Sequence, residues 1–179
     1  AYSFTINDPA VFVFASQFVN TNFETKDTAS LQHKAIMLLQ QILKFHLADA
    51  NTDALLDADL IRLNFANQYA INEDKNALYE AALKSVEAGY KGNAGIAQAR
   101  YLRASLYFSK GQTFQPFVKT DNQYEIKRSK EICDETIAAF PKTEGAINCH
   151  NLLSQILQPS LNLETERVNI PDQPFRTLV

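Results

Sequence analysis

YEIKRSKEICDETIAAFPKTEGAINCHNLLSQIL, residues 124–157, decides the fold. Ile126, Ser129, Cys133, Thr136 or Ile137, and Phe140 recur every three to four residues, so they share one helix face. Lys127, Arg128, Lys130, Glu131, Asp134 and Glu135 fall between them and form a solvated face. Pro141 has no N–H to donate and pushes Phe140 out of the α region, which ends the helix. Thr143 can cap the next helix, whose stripe is Ala146, Cys149, Leu152/Leu153 and Ile156. A break this short folds the second helix back on the first, stripe against stripe. The stretch holds no catalytic or cofactor motif.

Small residues set the packing. Ser129, Cys133, Thr136 and Pro141 occupy the spacing A-x3-F-x2-A-x4-P, which resembles the second helix of a tetratricopeptide (TPR) repeat with Cys in place of the aromatic. Cys149 and Leu152 then sit where the next repeat would hold its small and large packing residues. Cys133 lies seven residues before Phe140 and Cys149 six after Thr143, so in an antiparallel hairpin they face each other. Two readings follow: a pair of small buried residues in a helix–helix seam, or a disulfide stapling the hairpin in an oxidising compartment. A zinc site is excluded, because there is no Cys-x2-Cys and no paired His.

The 179 residues suffice for one domain that buries about 70% of its unfolded surface. A hydrophobic content of 46% with five Gly excludes a disordered or collagen-like chain. The 17 basic against 20 acidic residues, a net charge of −3, argue against a nucleic-acid or anionic-membrane surface. No run approaches the ~20 apolar residues of a membrane span. The chain begins at Ala1 without Met or an apolar leader and ends in the apolar PFRTLV. Either a signal peptide has been removed or the piece is excised, and the chain reads as a fragment of something larger.

Seven helices are expected. Asp8-Pro9 opens an apolar helix through Val11, Phe14/Ala15, Phe18 and Val19, which docks on the helices behind it. Asp27 or Thr28 opens the second. There Leu31, Ala35, Leu38, Ile42 and Phe45 form one stripe, and Ile36, Leu39, Leu43 and Leu47 another. Two adjacent stripes predict a helix covered on two sides, in the middle of a stacked array. Asn51-Thr52 caps the third, with Leu56, Leu60, Leu63, Asn67, Ile61 and Phe65 on its buried side. Its Asp53 and Asp57 are explained by the positive helix end rather than by a metal. Asn72 caps the fourth, closed by Gly89 and Gly92, and residues 94–110 form the fifth, closed by Gly111. A loop over 112–123 precedes the hairpin, and residues 158–179, with three prolines, look extended.

No reactive constellation is found. His33, His46 and His150 are read as packed or surface residues rather than ligands, and neighbours Cys149 and His150 point about 100° apart, too far to act as nucleophile and base. No Gly-rich phosphate loop exists. Catalytic, cofactor and metal sites are accordingly expected to be absent, and the chain is read as not an enzyme. Phe114, Phe117 and Tyr124 are the aromatics expected to be exposed, a candidate ligand patch around the loop.

Two resemblances suggest a role. KEICDETIAAFPKTEGAINCHNLLSQI (130–156), PSLNLETERVNIPDQPFRTLV (159–179) and LLDADLIRLNFANQYA (55–70) resemble the N-terminal part of large bacterial α2-macroglobulin-like proteins. There a helical segment precedes the first macroglobulin β-sandwich. This likeness implies a TPR-like helical domain over 1–158, then a linker and first strand over 159–179. It implies a periplasmic or outer-membrane-anchored protease trap whose partners are its own β-sandwiches, envelope proteins or proteases. The bait region and thioester motif of that family are not in these residues. AQARYLRASLYFSKGQTFQPF (97–117) is similar to a stretch of SusD-type glycan-binding lipoproteins, which implies a glycan- or nutrient-binding module instead. The expected fold is all-α: a TPR-like array of antiparallel helix pairs in a right-handed superhelix with a short extended C-terminal tail.

Overall fold

In the computed structural model the described residues are 3–115, 118, 120–158, 164–165, 171 and 177–178. They are all-α apart from one two-residue ladder and an isolated parallel bridge between Ile6 and Ala70. A 3-10 turn at Pro9–Phe12 leads into α1 (Ala15–Phe18), α2 (Leu31–His46), α3 (Asp53–Tyr69) and α4 (Lys75–Gly89). Then come α5 (Ile96–Gly111), α6 (Glu125–Ala139) and α7 (Glu144–Ile156). Strands β1 (Glu164–Thr165) and β2 (Thr177–Leu178) pair antiparallel with each other. The rest of the expected 159–179 linker lies outside the described residues, apart from Pro171.

Helix starts follow local chemistry. Asp8 accepts from the Ala10 N–H at 2.8 Å, and Thr143 from that of Ala146 at 3.2 Å, each satisfying an orphan donor of the first turn. The start of α2 differs from expectation: Ser30, not Asp27 or Thr28, caps it by accepting from His33 N–H. Asp27 instead accepts from the Phe4 N–H at 3.1 Å and ties down the N-terminal strand of chain. The expected first helix is also broken. Phe14 is extended at ψ 149°, so the apolar run splits into the 3-10 turn and the four residues of α1.

Residue pairs fix how the helices run. Glu80 of α4 meets Tyr107 and Lys110 of α5, and Glu87 meets Arg103. Ascending numbers on one helix meet descending numbers on the other, so these two are antiparallel. Helix α7 runs beside α5 from a common end: Asn148 donates to Gln98, and a Cβ on Gly145 would collide with the Ala97 backbone. Helix α5 packs on α4, α6 and α7, whereas α2 packs on α3 and α1.

Two apolar clusters result. The larger one joins Val11, Phe12, Phe18, Ile36, Leu43, Leu56, Leu63 and Leu83 to Ile96, Ala99 and Leu106. The smaller one holds Ala104, Tyr107, Ile132, Cys133, Cys149 and Leu152. Among the described residues only α5 contributes buried residues to both.

Inside the first cluster lies a charge pair. Asp59 and Arg62 are both buried, with Arg62 Nε 2.8 Å from Asp59 Oδ1. The guanidinium also donates to the Val11 carbonyl and stacks 4.6 Å over the Phe18 ring. It thereby pins the 3-10 turn and α1 to α3. Two other expectations are corrected here. Ile61, expected inside, is exposed. Helix α2 is not covered on two sides: Ile36, Gln40 and Leu43 are buried, while the Leu31 stripe faces outward.

Candidate functional site

The outward stripe of α2 is a line of exposed apolar side chains. Leu31 is 80% exposed, Leu38 56% and Phe45 73%, with Ile42 and Met37 also exposed. Leu31, Ala35, Leu38, Ile42 and Phe45 are spaced four, three, four and three residues apart, which keeps them in one line along the helix. Between Leu31 and His46 the ionisable side chains are His33, Lys34, Lys44 and His46, with no carboxylate. The opposite face holds the helix in place: Gln40 Nε2 donates to the Phe18 and Thr21 carbonyls, both at 2.7 Å.

A polar cleft opens at the other side of α3. It has a volume of about 470 Å³. Asn64 and Asn67 of α3, Asn76 and Tyr79 of α4, and Ser105 and Ser109 of α5 line it over a floor of Leu102 and Leu106. Tyr79 Oη donates to Asn64 Oδ1 at 2.6 Å, and burial pushes its phenol upward. Asn67 Oδ1 is buried without a protein partner. Thr113 and Asn122 close one end; Asn122, in the left-handed region at φ 64°, donates to Thr113 Oγ1 at 2.9 Å. Lys110 is the cationic residue of the lining, and Glu80 already neutralises it at 3.1 Å. Single asparagines and serines carry little weight in a sequence. Their three- and four-residue spacings were readable, but the convergence of three helices was not.

The larger cleft, about 850 Å³, lies where α3, α5 and α7 begin. Asp53, Asp57 and Glu144 line it, answering the positive ends of those helices. Asn93 donates to Asp53 Oδ1 at 2.7 Å and to Thr52 Oγ1 at 3.1 Å, so these side chains are already engaged.

The expected loop aromatics do not form a described patch. Tyr124 is 64% exposed, Phe114 is half-buried, and Phe117 lies outside the described residues. His33, expected at the surface, is partly buried with Nε2 2.7 Å from the Phe23 carbonyl, so Nε2 carries the proton. His46 Nδ1 contacts Asp49 at 2.7 Å, and His150 is exposed on α7. The three do not converge. Among the described residues no group of three His, Cys, Asp or Glu is placed to hold a metal ion. Among them, too, no helix is long and apolar enough to cross a membrane.

Cys133 and Cys149 do come together. Both are fully buried free thiols in the seam between α6 and α7, in the same apolar cluster. Compared with family models, characterised proteins and solved structures, the chain has no match.

Proposed function

We propose that this chain is a non-catalytic helical interaction and spacer module at the N-terminus of an α2-macroglobulin-like protease trap of the periplasm or outer membrane. On this reading its helices form a TPR-like right-handed superhelix. Support comes from the order α5, α6, α7, in which alternate helices lie side by side with the same direction. The observation that carries the role is the exposed stripe of α2. A contiguous apolar line on a folded domain is a contact surface awaiting its other half. Its occupant is a neighbouring macroglobulin-type β-sandwich of the same polypeptide, presenting apolar and acidic residues. Acidic complementarity follows from the exclusively basic charges of α2.

The test is the whole product of the gene that encodes this chain, challenged with a protease. Capture appears as protease that elutes with the product and cleaves small substrates but not large ones. The double variant Leu38→Glu/Phe45→Glu, on exposed positions, should leave the helical module folded while loosening the whole molecule in solution scattering. A product without β-sandwiches, digested with no protease retained, removes the reading.

The amide-lined cleft favours one second reading, a module that binds a neutral glycan. Amide and hydroxyl groups match the paired donors and acceptors of sugar hydroxyls, and the buried Asn67 Oδ1 offers an acceptor to a ligand O–H. Titrating neutral gluco-, manno- and galacto-oligosaccharides into the isotope-labelled chain checks it. Shifts confined to Asn64, Asn67, Asn76, Ser105 and Ser109, weakened in Asn67→Ala, support it. No shift at those amides with any of the sugars discards it.

A further inference from the structure

We propose that Cys133 and Cys149 are the site of an intramolecular disulfide that staples α6 to α7. Four observations meet there. The cysteines sit on adjacent helices joined by only Phe140–Thr143. Both side chains are fully buried in one small cluster with Ala104, Tyr107, Ile132 and Leu152. Their side chains are close enough that each thiol perturbs the other. Neither is claimed by a metal, since no ligand group of three forms around them among the described residues.

The two sulfurs are not equivalent. The neighbouring Cys133 lowers the Cys149 thiol against the opposing effect of burial. The neighbouring Cys149, together with burial, raises the Cys133 thiol. That difference belongs to the closed seam; with the hairpin open either cysteine can attack first. Its thiolate attacks one sulfur of an external disulfide, glutathione disulfide or the disulfide of an oxidoreductase, and one thiolate leaves. The other cysteine then attacks the protein sulfur of the mixed disulfide and expels the second thiolate. The two protons from the cysteines end on the two departing thiols. The protein pair is oxidised and the external disulfide reduced. Because neither sulfur is exposed, the exchange takes place before the hairpin closes or when it opens. The inference rests on the proposed periplasmic placement only for its oxidant, so failure of protease capture leaves it standing.

The experiment uses the 179-residue chain, unfolded, reduced, then refolded in equal reduced and oxidised glutathione. Free thiols are alkylated in acid-quenched denaturant, since the folded seam shields them. Trypsin places the cysteines on separate peptides, 131–142 and 143–167. A linked pair of these peptides is expected, with the oxidised chain melting roughly 6–12 °C above the reduced one, as closing a loop of ~15 residues predicts. Full alkylation of both cysteines, glutathione held on either without closure, or links between separate chains would each overturn the proposal. So would equal melting temperatures of the linked and reduced chains.

Discussion

Glu80 shows how much one carboxylate can do when three donors converge on it. Burial pushes its carboxyl up, but hydrogen bonds from Lys84 at 2.7 Å, Tyr107 at 2.6 Å and Lys110 at 3.1 Å outweigh that and hold it down at about 2. A carboxyl lowered on folding stabilises the protein above its ordinary value near 4.5, and that stability is lost as pH falls toward 2. Glu80→Gln should therefore cost about 2 kcal/mol at pH 7, after allowance for partial exposure, and almost nothing near pH 2. Urea unfolding of both proteins at several pH values measures the gap, and a gap independent of pH would remove the ionic account. Gly145 makes a sharper demand. An added Cβ there would meet the Ala97 carbon and carbonyl and the Gln98 nitrogen, all backbone of α5, which cannot swing aside. Gly145→Ala should cost about 3 kcal/mol. At Gly89 the obstacle is the Phe14 ring, a side chain that can turn, so Gly89→Ala should cost clearly less. Denaturant midpoints of the two variants rank them. Neither residue was legible in the sequence. Glu80 reads as ordinary surface charge and Gly145 as a weak spot in a helix, because both requirements come from a second helix.

At the scale of the elements, the hairpin was legible and the N-terminal third was misread, for one physical reason. In α6 and α7 the apolar stripes face each other, and the cap at Thr143 is local, so periodicity and chemistry agree. In α2 both stripes exist, but periodicity cannot say whether a stripe has a partner. The buried side was set by residues far away, Phe18 and Thr21, which Gln40 reaches. Asp59 and Arg62 show the same limit in the opposite direction: i,i+3 charges ordinarily decorate a solvent face, yet here they lie under Phe18 and Val11. Burial raises the Asp59 carboxyl against the pull of Arg62, and burial lowers Arg62 against the pull of Asp59. Removing Arg62 alone leaves a carboxylate with no counter-ion, so Arg62→Met should cost about 3–5 kcal/mol at pH 7. A carboxyl raised in the folded state gives stability that is full below about 4 and lost as pH rises through its folded value. The variant should therefore recover part of its loss at pH 4, and Asp59→Asn/Arg62→Met should recover more at pH 7. Thermal melts of the three proteins decide whether the pair acts as this argument requires.

The whole molecule is two apolar clusters sharing α5 as a common wall. Helix α2 and the segment before it depend on the first cluster, and the α6–α7 hairpin belongs to the second. The sequence could not reveal this division, since periodicity along α5 does not say that Ala99 and Leu106 face one cluster while Ala104 and Tyr107 face the other. If the clusters are energetically separate, opening one need not open the other. Arg62→Met is the natural probe, because Arg62 touches Val11 and Phe18 but nothing in the second cluster. Amides of α1 and α2 should lose protection in that variant by roughly 10²–10³-fold, the equivalent of the ion-pair cost. Amides of α6 and α7 should keep theirs within about threefold, and those of α5 should remain the slowest in the chain. Hydrogen exchange followed by mass spectrometry at peptide resolution reads all three groups in one experiment. A uniform loss across α2, α5 and α7 would instead mean that α5 couples the clusters into one cooperative unit. A ligand or partner seated on α2 would then be felt in the hairpin, and the exposed stripe would be a lever on the whole array rather than a local contact.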